Sequence, residues 1–200
     1  TDVKCDLTVP GYGNYWAAGA LHHNSSKTET LLVELVIQLT GIIPYSLEGL
    51  YPKEKVRPPI RARLCCESFT TTLIPVIFPK LQWWQWSGPG EPGGSRGHWG
   101  WIPREMLRGG DWGRAWSEKY RTLSLANGSS VQCFSYDQNP QDFSGASVHV
   151  VVHDEGPPQA IYRENRMRTL DVAWRCYIGM TPPDDERASW DAAWVFDTLY

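Results

Sequence analysis

The chain lacks a long hydrophobic run, a surplus of basic residues and a paired set of cysteines. Its most apolar stretch, residues 31–39, contains Glu34 and Gln38 and falls short of the ~18 apolar residues that a membrane-spanning helix requires. Because 19 Lys and Arg stand against 22 Asp and Glu, the formal charge is −3, and contact with nucleic acid would need a local basic patch. Five cysteines without framework spacing predict free thiols in a reducing compartment. The acidic start, with no apolar segment behind it, predicts no secretory signal peptide.

The composition is that of a folded globular chain. With 42% hydrophobic and 20% charged residues, wholesale disorder and a fibrous repeat are both excluded. The length favours one domain, which we assign to residues 1–200. Tryptophan is frequent: of 11 in all, seven lie in residues 83–116 among Gly and Pro residues. No hydrophobic period survives there, so this stretch is predicted to be a long loop or insertion whose rings pack as satellite core, with stacking on nucleic-acid bases as the alternative.

Elsewhere the hydrophobic pattern alternates between strands and helices. Strands are predicted at residues 15–20, 60–66, 122–125, 130–136, 148–152 and 172–180, and helices at residues 30–39, 70–81 and 189–200. Asn127 and Gly128 separate two of these strands and predict a β-hairpin. Because several strands are nearly continuous apolar runs that end in polar residues, the pattern predicts an α/β sheet with ligands at the carboxyl ends of its strands.

Lys27 and Thr28 follow a predicted strand and a polar turn, and they precede a predicted buried helix. This is the layout of a phosphate-binding loop, in which backbone N–H groups and the helix N-terminus face the phosphates, the lysine neutralises their charge and the hydroxyl binds Mg²⁺. The motif G-x-x-x-x-G-K-[ST] is broken at both glycines, where Leu21 and Ser26 stand. An ordinary polar turn before a helix is therefore the competing interpretation.

Asp154 and Glu155 follow a β-branched run at residues 148–152. A nucleotide hydrolase needs such a pair at a strand end, with one carboxylate to hold the Mg²⁺ shell and its neighbour to polarise the attacking water. Thr181 and Pro182 follow the next predicted strand and would bring a hydroxyl near the γ-phosphate. The order of the three clusters along the chain favours one shared site over three unrelated surface features.

In this order the segments resemble the N-terminal DNA-packaging ATPase domain of the large terminase subunits of tailed bacteriophages. Residues 23–30 resemble a divergent Walker A motif, residues 150–155 a Walker B motif, and residues 180–183 the segment through the coupling motif. Shorter matches lie at residues 127–129, 134–138, 143–146, 162–164 and 168–169. The resemblance spans most of the chain and implies a P-loop NTPase-like three-layer fold with a central, mainly parallel sheet.

The resemblance also implies a site for ATP and Mg²⁺. It makes Glu155 the catalytic carboxylate, Thr28 and Asp154 the metal ligands, and Thr181 with Pro182 the coupling motif. The residues that it places around the nucleotide are His22, His23, Asn24, Ser25, Ser26, Lys27 and Thr28. An arginine finger is implied without being identified, and the candidates are Arg61, Arg63, Arg121, Arg163 and Arg168.

The implied function is an ATP-hydrolysing motor that drives double-stranded DNA into a phage prohead. Its expected partners are double-stranded DNA, the portal protein, the small terminase subunit and further copies of the chain in a homo-oligomeric ring. The expected location is the host cytoplasm, at the portal of the prohead, without membrane insertion or secretion. The RNase H-like nuclease domain of a complete large terminase is expected to lie outside residues 1–200.

Other interpretations stay open at this point. Loss of both P-loop glycines is compatible with a catalytically weakened module that has a structural or assembly role, and a strand followed by Asp-Glu also occurs in helicase-type P-loop ATPases.

A zinc site is disfavoured because no spaced cysteine or glutamate accompanies the histidines, and His149 is expected to pack in the core. The histidines concerned are His22, His23, His149 and His153. A basic run is expected to be a solvated face, with DNA phosphate contact as the minority interpretation. It comprises Lys53, Lys55, Arg57, Arg61 and Arg63.

Overall fold

The computed structural model describes residues 14–17, 20–23, 26–49, 51, 56–86, 96–170, 172, 175–180 and 194–195. The strands are β1 (Asn14–Ala17), β2 (Ala20–His23), β3 (Arg61–Cys66), β4 (Trp83–Trp86), β5 (Arg96–Trp99), β6 (Trp116–Ser117), β7 (Thr122–Ser124), β8 (Ser130–Ser135), β9 (Val150–Asp154) and β10 (Arg175–Gly179). The α-helices are α1 (Ser26–Thr40), α2 (Phe78–Gln82), α3 (Trp112–Ala115) and α4 (Gln159–Thr169). Short 3₁₀ turns and one π-helix complete the described elements: Tyr45–Leu47, Phe69–Ile77, Arg104–Met106, Arg108–Gly110 and Pro140–Phe143.

Within the described residues, six strands form one mixed sheet in the order β10-β9-β3-β8-β7-β6. Strands β10, β9, β3 and β8 are parallel neighbours, and β7 and β6 extend the sheet with antiparallel pairing. The predicted hairpin between β7 and β8 is confirmed, and Gly128 in its turn has a φ of 89°, a conformation that glycine adopts without strain. The predicted α/β fold with a mainly parallel sheet is also confirmed.

Side-chain alternation along β3 and β9 divides the core into two layers. Leu64 and Val152 belong to a cluster that includes Leu35 of α1. Val151 belongs to a second cluster that includes Ile161 of α4. Since successive side chains of a strand point to opposite faces, α1 covers one face of the parallel strands and α4 the other. Helices on both faces are compatible with a three-layer fold.

The described cysteines are free, as predicted. Cys65, Cys66 and Cys133 are buried and Cys176 is half-buried, whereas Cys5 lies outside the described residues. Cys65 lies on the α4 side of the sheet and Cys66 on the α1 side, as expected for neighbours in a strand. Burial raises the pKa of the Cys66 thiol to about 12, so this group behaves as a small apolar side chain.

Helix α1 begins earlier than the predicted helix and has Lys27 and Thr28 in its first turn. It ends at Thr40, and Gly41 follows with a φ of 76°, the left-handed conformation that commonly ends a helix. The buried residues Leu32 and Leu39 account for the apolar pattern from which the helix was predicted. Neither α1 nor any other helix in the described part of the chain has the length and apolarity that crossing a membrane requires.

The single strand predicted at residues 15–20 is wrong, because two short strands replace it. Strands β1 and β2 pair in antiparallel register with Ala17 opposite Ala20, and among the described residues they form a sheet of their own. Residues 18–19 lie outside the described residues. His22 and His23 consequently lie in a strand and not in the predicted polar turn.

Residues 83–116, the Trp-rich segment, contain regular structure that the sequence pattern does not predict. Strands β4 and β5 pair antiparallel, and β6 joins the edge of the main sheet. The segment is attached to α2 through backbone hydrogen bonds, from Trp101 N to Lys80 O at 2.9 Å and from Ile102 N to Leu81 O at 3.1 Å. The prediction of an irregular loop is wrong for residues 83–86 and 96–116, because these pairings join residues too far apart for a local period to reveal. The Gly- and Pro-rich residues 87–95 lie outside the described residues.

The other predicted helices and strands are found with changed bounds. The helix predicted at residues 70–81 is present as the π-helix Phe69–Ile77 followed by α2, with Pro75 inside it. The strand predicted at residues 172–180 is shortened to β10. Of the helix predicted at residues 189–200, residues 194–195 are described, and they are helical.

The basic run is not one solvated face. Arg57 and Arg61 are exposed, but Arg63 is only 3% exposed. Arg63 lies on the α4 side of β3, so the expectation of a solvated face is wrong for this residue because strand alternation turns it inward. Lys53 and Lys55 lie outside the described residues.

Gly100 lies where the Trp-rich segment crosses α2, and it is expected not to tolerate a side chain. A Cβ at this position would lie 2.2 Å from the backbone oxygen of Lys80. Gly100→Ala should therefore lower the free energy of unfolding by about 1–3 kcal/mol in urea denaturation. The matched control is Gly49→Ala, where a Cβ meets nothing within 4 Å. Equal urea midpoints for the two variants would contradict the close contact between Gly100 and the Lys80 backbone oxygen.

Candidate functional site

Thr28 and Asp154 meet where the N-terminus of α1 crosses the carboxyl end of β9. Asp154 follows Val150 and Val152 on the α1 side of β9, so the alternation of the strand directs its carboxylate toward the helix. The Thr28 Oγ1 hydroxyl donates a hydrogen bond to Asp154 Oδ1 at 2.8 Å. The two residues are 126 positions apart in the chain, so the packing of α1 on the sheet creates this contact.

The Asp154 carboxylate is buried, with 5% of the residue exposed. Burial raises its pKa, the hydrogen bond from Thr28 lowers it, the charge of Glu155 raises it, and the charges of Lys27 and Lys80 lower it. The net direction is upward, so the surroundings of Asp154 disfavour its negative charge. A carboxylate in this condition is typical of a site that receives a cation or a proton.

Lys27 and Glu155 form an ion pair beside the buried Thr28–Asp154 pair. Lys27 Nζ lies 3.2 Å from Glu155 Oε1, and both side chains are partly open to solvent. The backbone of Glu155 has a φ of 70°, in the left-handed region that residues other than glycine rarely adopt. The two pairs place two carboxylates, one ammonium and one hydroxyl at the carboxyl end of the sheet.

Glu29 connects the first turn of α1 to the Trp-rich segment. Trp101 Nε1 donates to Glu29 Oε2 at 2.6 Å, and Lys80 of α2 forms an ion pair with the same carboxylate. Sequence reasoning missed both Glu29 and Lys80. The position of Glu29 directly after the Lys-Thr pair was the one signal that pointed to it. The Trp-rich segment therefore contacts the helix that carries the candidate site.

The predicted site residues fall into three groups. Four lie together at the sheet end: Lys27, Thr28, Asp154 and Glu155. Three belong to described elements, with His22 and His23 in β2 and Ser26 at the start of α1. Four lie outside the described residues: Asn24, Ser25, Thr181 and Pro182. Strand β10 ends at Gly179, which pairs with Asp154, so the strand that precedes Thr181 does end beside the acid pair.

Of the four histidines considered as zinc ligands, the structure describes the side chains of His149 and His153. His153 is fully buried on the α4 side of β9, where burial lowers its pKa to about 3. His149 precedes β9 and is half-buried, and its Nδ1 accepts a hydrogen bond from the Arg61 N–H at 3.1 Å, so the expectation of core packing is wrong for it. Within the described part of the chain, no three His, Cys, Asp or Glu side chains converge as metal ligands.

Thr28 and Asp154 suit Mg²⁺ as a pair of oxygen ligands. Mg²⁺ keeps several waters and takes one or two carboxylates together with the phosphate oxygens of a substrate, so one carboxylate and one hydroxyl meet its needs. The pKa of Asp154 is raised because its surroundings disfavour the charged carboxylate. A bound divalent cation would offset this effect, since it favours the ionised form.

The arginine-finger candidates differ in burial. Arg63 is buried between the sheet and α4, which excludes it from reaching a phosphate at the sheet end. The Arg121 guanidinium lies over the ring of Phe69, 3.8 Å from its centroid. Arg61, Arg121 and Arg163 are exposed. Arg168 is half-buried, and its Nη2 lies 3.6 Å from Glu164 Oε2.

Comparison with protein-family models, curated proteins and solved structures finds no match to the chain. The assignment of the site therefore depends on the chemistry of Lys27, Thr28, Asp154 and Glu155. An ammonium at the N-terminus of a long helix can bind a phosphate, a hydroxyl with a buried carboxylate can hold a cation, and a second carboxylate can polarise a water.

Asp154→Asn is expected to raise thermal stability without added Mg²⁺. Since the pKa of Asp154 is raised in the folded chain, its contribution to stability is present below the unfolded-state pKa and is lost as pH rises through the folded-state pKa. Asparagine has no charge to bury, and its oxygen can still accept from Thr28. At pH 7 we expect Tm to rise by about 2–4 °C, which corresponds to ~1 kcal/mol for a chain of this size.

The control for this measurement is Asp142→Asn, which makes the same change on an exposed side chain. Its Tm should stay within about 0.5 °C of the wild type, because an exposed carboxylate is fully hydrated in both states. A lower Tm for Asp154→Asn would mean that the carboxylate stabilises the fold.

Proposed function

We propose that the chain is an Mg²⁺-dependent ATPase whose hydrolysis of ATP drives a DNA-packaging motor. The observation that carries the proposal is the convergence of Lys27 and Thr28 with Asp154 and Glu155 at the carboxyl end of β9. Parallel α/β sheets bind ligands at this end, and a helix N-terminus beside it favours a phosphate. The four side chains supply the groups that phosphoryl transfer to water requires.

Lys27 binds the triphosphate. Its ammonium belongs to the first turn of α1, where unpaired backbone N–H groups and the helix dipole also attract an anion. In this structure the ammonium contacts Glu155 at 3.2 Å, so the phosphates and the carboxylate compete for it. Binding of ATP draws Lys27 toward the phosphates and weakens its ion pair with Glu155, whose carboxylate then accepts a hydrogen bond from water.

Glu155 orients the attacking water. Its carboxylate accepts a hydrogen bond from the water, whose oxygen forms a bond to the γ-phosphorus as the bond to the ADP oxygen breaks. Thr28 and Asp154 would hold Mg²⁺, which when bound neutralises charge on the β- and γ-phosphate oxygens. Burial of Asp154 keeps its carboxylate in one orientation toward that position.

The motor role is the finer part of the proposal, and the ordered resemblance to large terminase subunits supports it. Double-stranded DNA, the portal protein and the small terminase subunit are the proposed partners, at the portal of a prohead in the host cytoplasm. Copies of the chain form a ring in which a neighbour supplies the arginine finger. The exposed Arg61, Arg121 and Arg163 and the half-buried Arg168 are the candidates for that role.

Phosphate release from ATP by the purified chain, with Mg²⁺ and duplex DNA, tests the proposal. Lys27→Ala removes the ammonium and Glu155→Gln removes the base, so each should lower kcat by about 10²–10³-fold. Glu155→Gln should bind ATP at least as tightly as the wild type, because the variant removes a negative charge that competes with the phosphates for Lys27. A chelator in place of Mg²⁺ should abolish turnover.

Lys119→Ala and Glu105→Gln are the matched controls, since they make the same changes on exposed side chains. Both should leave the rate unchanged. Hydrolysis that neither site variant affects would refute this site. Nucleotide binding without turnover under every condition would favour the catalytically weakened module, and strand separation without movement along duplex DNA would favour a helicase.

A further inference from the structure

A line of buried polar side chains runs behind the acid pair, on the α4 side of the sheet. Its members are Arg63, Asn165, His153 and Tyr136, none more than 6% exposed. It ends at the backbone of Glu155, to whose carbonyl oxygen the Tyr136 hydroxyl donates at 3.0 Å. Buried hydrogen-bond networks of this kind specify one geometry, although Arg63 Nε has no partner among the described residues.

The guanidinium of Arg63 determines how the Asn165 amide is oriented. Arg63 Nη1 donates to Asn165 Oδ1 at 2.9 Å, and a guanidinium has donors only, so the amide oxygen must face it. The amide nitrogen then faces the other way, 3.5 Å from His153 Nε2 and 3.5 Å from Cys65 Sγ. A flipped amide would bring two donors together at Arg63.

The orientation of the amide determines the tautomer of His153. A neutral imidazole has one donor and one acceptor, and Nε2 accepts from Asn165, so Nδ1 carries the proton. Nδ1 lies 3.1 Å from the Tyr136 hydroxyl oxygen and donates to it. The proton of Tyr136 is thereby directed away from His153, toward three carbonyl oxygens. That of Glu155 is the nearest at 3.0 Å, and those of Asp154 and Cys65 lie at 3.4 Å.

Hydrogen bonds hold the backbone of Glu155 on both sides of its Cα. Its N–H donates to Gly179 O at 2.8 Å, and its carbonyl accepts from Tyr136. Between these two contacts the residue keeps a φ of 70°, a conformation that the chain leaves readily unless its neighbours hold it. The side chain that starts from this backbone reaches Lys27 on the opposite side of the sheet end.

We infer that Tyr136 is a positioning residue for Glu155, with its hydroxyl oriented in turn by His153, Asn165 and Arg63. Tyr136 holds the backbone from which the Glu155 carboxylate reaches the attacking water, and it touches neither Lys27 nor Thr28 in the contacts described above. Its kinetic effect rests on the proposed ATPase activity. The predicted direction of each hydrogen bond in the line does not depend on that activity.

The kinetic test compares Tyr136→Phe with the wild type. Because the phenyl ring keeps the packing and the loss is confined to one hydroxyl, kcat should fall on the order of tenfold while KM for MgATP stays unchanged. The matched control is Tyr162→Phe, an equally buried tyrosine whose ring lies 6.4 Å from that of His153, and it should change neither constant. An unchanged kcat for Tyr136→Phe in an active protein would overturn the inference. Inactive wild-type protein would instead refute the proposed function.

The second test uses the wild-type chain and needs no activity. Nitrogen-15 NMR of His153 should show a protonated Nδ1 and an unprotonated Nε2, which supports the hydrogen-bond order. A protonated Nε2 would overturn that order. This measurement decides how the Tyr136 hydroxyl is oriented even where Tyr136→Phe does not fold.

Discussion

Strand β9 is buried along its whole length between helices on both faces of the sheet, and this constraint decides where the groups of the candidate site lie. Val150, Val152 and Asp154 face α1, whereas Val151 and His153 face the α4 side. A register shift of one residue would exchange the two sets and direct an imidazole, not a carboxylate, toward α1. Parallel pairing with both β3 and β10 opposes that shift.

The same burial places strain at the site. Asp154 keeps a carboxylate in surroundings that disfavour its charge, and Thr28 and Lys27 offset only part of that effect. Glu155 adds a left-handed backbone conformation, which hydrogen bonds from Tyr136 and to Gly179 maintain. Features that lower stability and converge at one strand end are typical of a site retained for binding or catalysis. The rest of β9 and its neighbours supplies the apolar burial that holds this end in place.

Local patterns were enough to predict several elements. The hydrophobic period indicated α1 and β9, and the Asn-Gly turn indicated the hairpin of β7 and β8. The proximity of Lys27 and Thr28 to Asp154 and Glu155 could also be predicted from the sequence, since the carboxyl ends of parallel strands lie at the same end of a sheet. The pairing of β4 with β5 could not be predicted, because the backbone hydrogen bonds that stabilise it leave no hydrophobic period in a Gly- and Pro-rich stretch.

Without any structure, the residues alone establish the alternation of strands and helices, the free thiols and the chemical groups at each strand end. These follow from hydrophobic period and turn chemistry, which act over a few positions. Packing decided the rest. Arg63 could be placed inside only because Asn165 and the carbonyl of Phe143, 102 and 80 positions away, accept its hydrogen bonds. The contact of Tyr136 with the Glu155 carbonyl depends in the same way on elements brought together by the fold, and no local signal in the chain encodes such distances.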